Sequence, residues 1–235
     1  MELPPLHNGN IVRRYKRFLA DVILQNGESI IAHCPNTGSM TGCWKEGAPV
    51  QLSYSDNPKR KLRWTLERVD MGQGWVGVNT HRVNQVIKSF LIERKISQLS
   101  KYMEISSEPT YKAAGFPASR FDFLLTEKGL PDCYVEVKNT TLYRGADIQF
   151  PDAVTERGRK HLLLLEHAVN QGFRTIILFA VNRPEGRKFS VASDIDPGYQ
   201  QTLKNVLKSG VEALALRLVH TQTGIEPGEI LEVTV

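Results

Sequence analysis

The alternation of hydrophobic and polar residues changes about one third of the way along the chain. Residues 11–80 contain short alternating runs that predict β-strands, separated by turn residues such as Asn26-Gly27 and Gly72-Gln73-Gly74. The runs cover residues 11–24, 29–34, 49–55, 62–69 and 75–80. About five strands in such a short segment predict a small closed barrel of the OB-fold type, while the strand count alone leaves an SH3-like barrel open.

From residue 81 onward the pattern is that of an α/β domain. Helical spacing of apolar residues begins the segment at Val83, Val86, Ile87, Phe90 and Leu91. Strands are predicted at 121–125, 133–138, 174–181 and 211–219, with helices at 152–171 and from Asp196-Pro197 to Gly210. The predicted fold class is therefore all-β plus α/β, divided into domains at 1–80 and 81–235.

The predicted strand at 133–138 carries opposite charges on one face. Because alternate side chains of a strand point the same way, Val135 and Val137 face one side while Glu136 and Lys138 face the other. Asp122 lies in the preceding predicted strand, and a hairpin would bring it alongside. Two carboxylates and an ammonium are the groups that hold Mg²⁺ or Mn²⁺ and stabilise charge in phosphodiester hydrolysis. The alternative is a solvated charged face on which Asp122 pairs locally.

A second aspartate competes for the metal role. Pro131-Asp132 spells the literal PD of a nuclease signature, but Asp132 precedes Glu136 by only four residues, near the start of the same strand. It is therefore less able than Asp122 to face a metal from a neighbouring strand. We interpret Asp122, Glu136 and Lys138 as the candidate catalytic residues, with Asp122 and Glu136 as the metal ligands.

Basic residues cluster in three segments that are candidates for nucleic-acid binding. The candidates are Arg13 and Arg14, then Lys59, Arg60, Lys61 and Arg63 before Trp64, then Arg157 and Lys160 in the first turns of a predicted helix. Cations beside aromatic side chains suit a phosphate backbone with stacked bases, although exposed basic loops are common in other proteins. Cations at a helix N-terminus oppose the macrodipole and indicate a nearby phosphate or acidic side chain. His161 and His167 have no evident partner, and we interpret them as surface histidines.

The composition limits the class of protein but does not identify its binding partner. The 235 residues carry a formal net charge of +5, which suggests a polyanionic partner but decides little alone. The three cysteines form no CxxC pair, and the N-terminus lacks the apolar core of a signal peptide, so a reduced, cytoplasmic protein is predicted. No apolar run approaches the roughly 20 residues of a membrane helix. His33, Cys34 and Cys43 match no usual zinc spacing, and we interpret their loop as structural.

Six stretches together resemble the sugar fermentation stimulation protein family. They are RYKRFLADV, HCPNTGSMTGC, SDNPKRKLRW, SRFDF, CYVEVKNTTL and FPDAVTERGRKHL, between residues 14 and 162. The resemblance implies an N-terminal OB-fold domain and a C-terminal domain similar to the PD-(D/E)xK nucleases, with Asp122, Glu136 and Lys138 on the motif positions. It also implies DNA binding and a role in regulating bacterial sugar utilisation.

Two functions from different classes follow from these features. One is a DNA-binding regulatory protein with a nuclease-like divalent-metal site, and the other is an active Mg²⁺- or Mn²⁺-dependent DNA endonuclease. RNA stays open as a target because an OB barrel and a basic groove discriminate poorly between the two polymers. Symmetric cutting of a duplex would imply a homodimer. The nuclease group often adds a helical glutamate, for which Glu108 is the nearest candidate, but Pro109 after it disfavours a helix.

Overall fold

A computed structural model describes residues 1–113 and 115–235. The strands are β1 (Leu6–Tyr15), β2 (Leu19–Leu24), β3 (Ser29–His33), β4 (Pro49–Tyr54), β5 (Trp64–Asp70), β6 (Trp75–Gly77), β7 (Glu104–Ser107), β8 (Thr110–Tyr111), β9 (Ser119–Arg120), β10 (Phe123–Thr126), β11 (Cys133–Thr140), β12 (Leu142–Arg144), β13 (Asp147–Phe150), β14 (Arg174–Val181), β15 (Lys188–Val191), β16 (Glu212–His220) and β17 (Ile225–Thr234). The helices are α1 (Thr80–Ile92), α2 (Glu156–Asn170) and α3 (Pro197–Lys208), with a 3-10 turn at Ser97–Leu99.

The first five strands close into a barrel. The antiparallel sheet has the order β3-β2-β1-β4-β5-β6, and a parallel pairing of β3 with β5, between Ala32 and Trp64, closes β1–β5 into a barrel. Closure removes the exposed strand edges that would otherwise pair with other chains. Alternate residues of the strands fill the interior, among them Ile11, Val22 and Leu52, which are almost fully buried. The predicted OB-fold barrel is confirmed.

One predicted strand of this barrel is wrong in its extent. The alternating run at 11–24 is not a single strand but the end of β1, a three-residue turn and β2, which pair antiparallel. Lys16 and Arg17 adopt left-handed backbone conformations at the turn, with φ of 48° and 64°. This conformation is uncommon outside glycine, asparagine and aspartate, so the turn has no marker in the sequence.

The second domain is a mixed nine-stranded sheet with helices on both faces. Its order is β12-β13-β15-β17-β16-β14-β11-β10-β7, with β11, β14 and β16 parallel at the centre. Helix α1 packs on one face in a core that includes Val135 and Val137, and α2 and α3 pack on the other face. The predicted α/β architecture of this domain is confirmed. The periodicity did not predict the edge strand β7 or the strands β12, β13, β15 and β17 on the other side of β16.

Each helix begins at a residue whose side chain caps it. Asn79 accepts from the backbone N–H of His81, Thr155 from that of Gly158, and Asp196 from that of Tyr199. Such caps satisfy N–H groups that have no partner inside the helix. Because Thr155 is the cap, α2 begins at Glu156.

Two successive residues of β5 join the barrel to the second domain. Arg68 is fully buried, and its guanidinium donates to the backbone carbonyls of Thr221 and Gln222 at 2.8 and 3.1 Å. Burial lowers the pKa of Arg68 to about 10. Glu67, on the other face of the strand, accepts from Asn79 and Arg82 at the start of α1. A buried ionic group is costly unless partners satisfy it, so both residues fix the position of the domains.

The chain crosses the domain boundary more than once. The amino group of Met1 donates to the carbonyl oxygen of Ile225 at 2.8 Å, and Glu2 forms an isolated β-bridge with Gly224. Met1 and Leu3 pack against the core beneath α1. The first residues of the polypeptide therefore lie on the second domain before β1 enters the barrel.

Gly77 allows a close approach between the two domains. Its N–H donates to the carbonyl oxygen of Asn182 at 2.9 Å, and a Cβ at position 77 would lie 2.1 Å from Oδ1 of that residue. The amide of Asn182 is itself held, since it bonds to Asn139 and to His220. No side chain fits at position 77 unless this network moves.

We expect Gly77→Ala to lower the free energy of unfolding by about 1–3 kcal/mol, because the new methyl group overpacks the interface. Removal of the amide in Asn182→Ala should relieve that clash, so the double variant should lose less than the sum of the single losses. Urea unfolding of the four proteins measures this coupling. Additive losses would show that Gly77 and Asn182 do not compete for the same space.

We also expect the burial of His220 to make the fold acid-sensitive. Burial, followed by the charge of Arg68, lowers its pKa to about 3, and its Nδ1 is buried without a hydrogen-bond partner among the described residues. Since the folded state disfavours the protonated ring, stability should fall by about 1.4 kcal/mol per pH unit as the pH drops from 6.5 toward 3. Denaturant unfolding between pH 7 and 4 should give a shallower decline for His220→Gln. Parallel curves would contradict this assignment.

Candidate metal and nucleic-acid site

Strand β11 is the platform of the candidate site. It pairs antiparallel with β10, with Phe123 opposite Val135, and parallel with β14. Its valines face the core under α1, as the alternation predicts. Glu136 points to the other face, toward α2, where it is only 3% exposed. The charge at this position is thus inside the protein rather than on a solvated face.

The two carboxylate oxygens of Glu136 differ in their surroundings. Oε1 accepts from the ammonium of Lys138 and contacts Nδ1 of His161. Oε2 is buried and has no hydrogen-bond partner among the described residues. Burial would raise the pKa of Glu136, but the hydrogen bond from His161 and the charge of Lys138 hold that pKa below its usual value. The carboxylate is therefore held ionised, with one oxygen left for another partner.

Asp122 lies where the ladder between β10 and β11 opens. It immediately precedes β10, and its Oδ2 accepts from the backbone N–H of Val137 at 2.7 Å. Its Oδ1 accepts from Nδ2 of Asn84 on α1 at 2.6 Å. Burial, and then the charge of Glu136, raise the pKa of Asp122. The hairpin therefore places two acidic groups close enough for each to feel the field of the other.

His161 corrects the interpretation of this residue as a surface histidine. The residue is 6% exposed on the inner face of α2 and contacts Glu136. The spacing of Gly158, His161, Leu162 and Leu165 places all four on one buried helix face, and this periodicity was the available signal. His167 is also paired, since its Nδ1 lies 2.8 Å from the hydroxyl of Tyr111.

Two other acidic candidates lie away from this site. Glu108 is exposed in the turn after β7, with φ of 52°, and its carboxylate pairs with Arg120 at 3.1 Å. The residue that bonds to Asp122 from a helix is therefore Asn84 on α1, and not Glu108. Asp132 precedes β11 at its opposite end, beside Glu104. Of the three acidic residues weighed with Glu136, only Asp122 is brought near it.

The basic residues of β1 bind within the protein. Arg13 forms an exposed ion pair with Asp21 at 2.6 Å. Arg14 donates to the carbonyl oxygens of Asn36 and Gly38 at 2.8 and 3.0 Å, so its guanidinium supports the loop that follows β3. An arginine whose donors are used in this way has fewer left for a phosphate.

The loop before β5 presents exposed cations beside aromatic rings. Lys59, Lys61 and Arg63 are exposed, and Arg63 donates to the hydroxyl of Tyr54 at 3.0 Å. Arg60 donates to the hydroxyl of Thr65 at 2.8 Å. Trp64 packs edge-to-face against His7 and Tyr54, with ring centroids 4.9 and 4.8 Å away. We call Tyr54, Lys59, Lys61, Arg63 and Trp64 the basic aromatic face.

The basic residues at the start of α2 divide between two environments. Arg159 pairs with buried Asp196 at 3.2 Å, so an acidic neighbour satisfies this cation, one of the two alternatives predicted. Arg157 is exposed and Lys160 is half-buried, and neither bonds to a described residue. Arg157 lies one helical turn before His161, on the side of α2 that leads to Glu136.

Other metal chemistry is not evident in the described part of the chain. Cys34, Cys43 and Cys133 are buried free thiols. No group of three histidine, cysteine or acidic residues within 1–113 and 115–235 is arranged to hold a metal. A hard cation such as Mg²⁺ needs fewer protein ligands, because it keeps several waters and binds one or two carboxylates.

Among the described helices, none is long and apolar enough to cross a membrane.

Comparisons with known proteins agree across both domains. The model of the SfsA N-terminal OB domain matches residues 12–78, and that of the sugar fermentation stimulation protein RE domain matches residues 81–224. The sugar fermentation stimulation protein homologue of Geobacter sulfurreducens is 45% identical over 99% of this chain and 98% of its own length. The homologue of Geobacter metallireducens is 46% identical over 99% of each chain.

A solved structure extends the likeness to the whole fold. The structure of Pyrococcus furiosus SfsA in complex with Ca²⁺ superposes with a TM-score of 0.88 at 25% sequence identity. The match covers 100% of this chain and 98% of that chain. Both the family models and the full-length relatives point to one assignment, and the chain belongs to the sugar fermentation stimulation protein family.

Proposed function

We propose that the protein binds DNA through domain 1–80 and holds a divalent cation, Mg²⁺ or Mn²⁺, at Asp122 and Glu136 in domain 81–235. The observation that carries the proposal is the buried Oε2 of Glu136, which has no partner among the described residues. A buried carboxylate oxygen without a donor is costly, and a cation would satisfy it. The Pyrococcus furiosus relative binds Ca²⁺, a cation that prefers oxygen ligands in the same way.

The donor set fits a hard cation. Each oxygen of Asp122 accepts one hydrogen bond, from Asn84 or from the N–H of Val137, and each retains a second lone pair. Together with Oε2 of Glu136 these are the ligand types that Mg²⁺ and Mn²⁺ take. When bound, such an ion polarises a phosphoryl oxygen and lowers the pKa of a coordinated water.

The surrounding residues hold the two carboxylates in place. His161 and Lys138 both bond to Oε1 of Glu136, which leaves Oε2 directed away from them. Asn84 and the backbone of β11 orient Asp122. The ammonium of Lys138 also provides positive charge beside the carboxylates, where a phosphate would develop negative charge in its transition state. We assign His161 and Asn84 as positioning residues.

The basic aromatic face supports DNA as the partner. Its cations are exposed, and the rings of Tyr54 and Trp64 lie in contact beside them. Cations bind the phosphate backbone and aromatic rings stack with bases, a combination typical of OB-fold surfaces that bind single strands. Arg157 and Lys160 provide a second cationic contact on the approach to Glu136, as we infer from their place on α2. RNA is the competing ligand in every binding test.

Phosphodiester hydrolysis is the second candidate function. Asp122, Glu136 and Lys138 are all present and adjacent, and a protein that only binds DNA has no chemical need for the three together.

The link to sugar utilisation comes from the family name, and it fits a DNA-binding regulator. Three free cysteines fit the reducing cytoplasm, which we propose as the compartment. If the protein cuts both strands of a duplex symmetrically, we expect it to act as a homodimer.

We expect Glu136→Gln and Asp122→Asn to abolish Mn²⁺ binding measured by titration calorimetry, because each removes a charged oxygen ligand. Any cleavage of labelled single-stranded, duplex or branched DNA with Mg²⁺ or Mn²⁺ should fall by a factor of about 100 or more. Asp132→Asn is the matched control, since it makes the same chemical change at the far end of β11. Thermal unfolding of each variant checks that the fold is retained.

The outcomes separate the two functions. Metal-dependent cleavage that the Glu136→Gln variant lacks would establish a nuclease. DNA binding without cleavage of any substrate, but with Mn²⁺ binding, would support the regulatory role. Retention of Mn²⁺ binding in folded Glu136→Gln and Asp122→Asn proteins would contradict the proposed metal site.

Replacement of Lys59, Lys61 and Arg63 together by alanine should weaken DNA binding, because three exposed phosphate contacts are lost. The slope of log affinity against log salt should become shallower by about one for each contact removed. Fluorescence anisotropy with a labelled oligonucleotide from 50 to 300 mM salt measures both effects.

The control triple variant replaces Lys101, Lys128 and Lys208, which are exposed and outside the basic aromatic face. It loses the same net charge. Equal losses of affinity and of salt slope in the two triple variants would show that only the total charge matters, and the proposed surface would then be wrong.

A further inference from the structure

A cavity of about 230 Å³ lies between the two domains at the C-terminal end of β11. Its lining includes Asn36, Gly38, Asn139, Gln149, Phe150 and Asp152. Asn139 directly follows Lys138, and a strand rises about 3.3 Å per residue, so the cavity begins about 10 Å along the strand from Glu136. In α/β domains, the carboxyl ends of strands are common places for ligands.

The loop after β3 forms the part of the cavity lining that comes from the first domain, and specific contacts hold it in place. Arg14 fixes the carbonyl oxygens of Asn36 and Gly38, and Ser39 donates to Oδ2 of Asp152 at 3.2 Å. A Cβ at position 38 would lie 2.8 Å from that same oxygen. A side chain at position 38 would force this carboxylate to move, so the glycine lets the loop pass close to Asp152 and the contact between the domains forms the cavity.

The lining has the chemistry of a site for a neutral ring with N–H donors. Oε1 of Gln149 is buried and has no partner among the described residues, while Nε2 bonds to Ser190 at 3.3 Å. Asp152 adds a carboxylate, Phe150 an aromatic ring, and the other polar residues amides and hydroxyls. No lysine or arginine lines the described cavity, which argues against a phosphate as its occupant.

We propose that this cavity receives an unpaired nucleobase of the DNA strand whose phosphate lies at Asp122 and Glu136. The inference rests on the proposed function and deepens it, since it makes an unstacked base part of the recognised substrate. A base has a flat ring and a polar edge, and enzymes bind extruded bases by hydrogen bonds and aromatic contacts. Asp and Gln side chains accept from the exocyclic amino groups of cytosine and adenine, so bases with an amino group are preferred over thymine.

The preference for an unpaired base follows from the cost of extrusion. A base within a duplex must lose its pairing and stacking before it can enter, whereas a mismatched or single-stranded base loses less. The protein should therefore bind a single strand or a mismatch more tightly than a fully paired duplex of the same length.

The test uses single-stranded oligonucleotides that carry one 2-aminopurine at each position in turn, bound to the whole protein with Ca²⁺. Because bases stacked on Tyr54 or Trp64 also change their emission, we expect one position at which the change depends on Gln149. Gln149→Leu, which removes the unpartnered acceptor at similar volume, should abolish that response. Gln73→Leu, in the exposed turn between β5 and β6, is the matched control and should retain it.

A second measurement uses only the wild-type protein. An abasic site at the responsive position should weaken binding about tenfold, because a stacked and hydrogen-bonded base is lost, whereas an abasic site elsewhere should change it less. Equal responses at all positions, or a response that folded Gln149→Leu retains, would overturn the inference. Loss of the response on addition of glucose but not of deoxycytidine would overturn it in favour of a sugar site.

The two proposals fail in different ways. If Mn²⁺ binding depends on Glu136 but no position responds, the nucleobase cavity is wrong and the metal site stands. If the wild-type protein binds no divalent cation, the proposed function is wrong, whatever the emission shows.

Discussion

The burial of one carboxylate, that of Glu136, determines how the second domain is arranged around its site. An ionised group inside a protein is stable only with donors around it, and these come from Lys138 on the same strand and His161 on α2. Helix α2 must therefore pack with His161 toward the sheet. Its cationic first turns then lie along the approach to the carboxylate, and one carboxylate oxygen stays without a protein donor.

The barrel is connected to the same site through the contacts that join the domains. Glu67 and Arg68 on β5 reach α1 and the turn between β16 and β17, and Gly77 lies against Asn182. These contacts place α1 so that Asn84 meets Asp122, and they bring the loop after β3 to the end of β11. The basic aromatic face and the candidate metal site therefore belong to one packed framework.

Local patterns gave much of this arrangement in advance. Alternation separated Glu136 and Lys138 from the valines, and the turn before 133–138 predicted the hairpin that brings Asp122 near. The periodicity of a strand does not reveal a tight turn that contains no glycine. The turn at Lys16 between β1 and β2 was therefore not predicted. The same reasoning placed His161 on the surface, because a histidine gives no indication of its partner until the opposite face is known.

The sequence by itself determined the two fold classes, the residue types at the candidate site and the face of the strand that carries them. These properties depend on the chain within a few residues, where backbone geometry fixes which side chains share a side. Only the tertiary structure decided that His161 meets Glu136 across 25 residues and that Asn84 meets Asp122 across 38. Such pairs arise from the packing of whole helices on the sheet, which minimises buried polar atoms without partners, and no local period encodes that outcome.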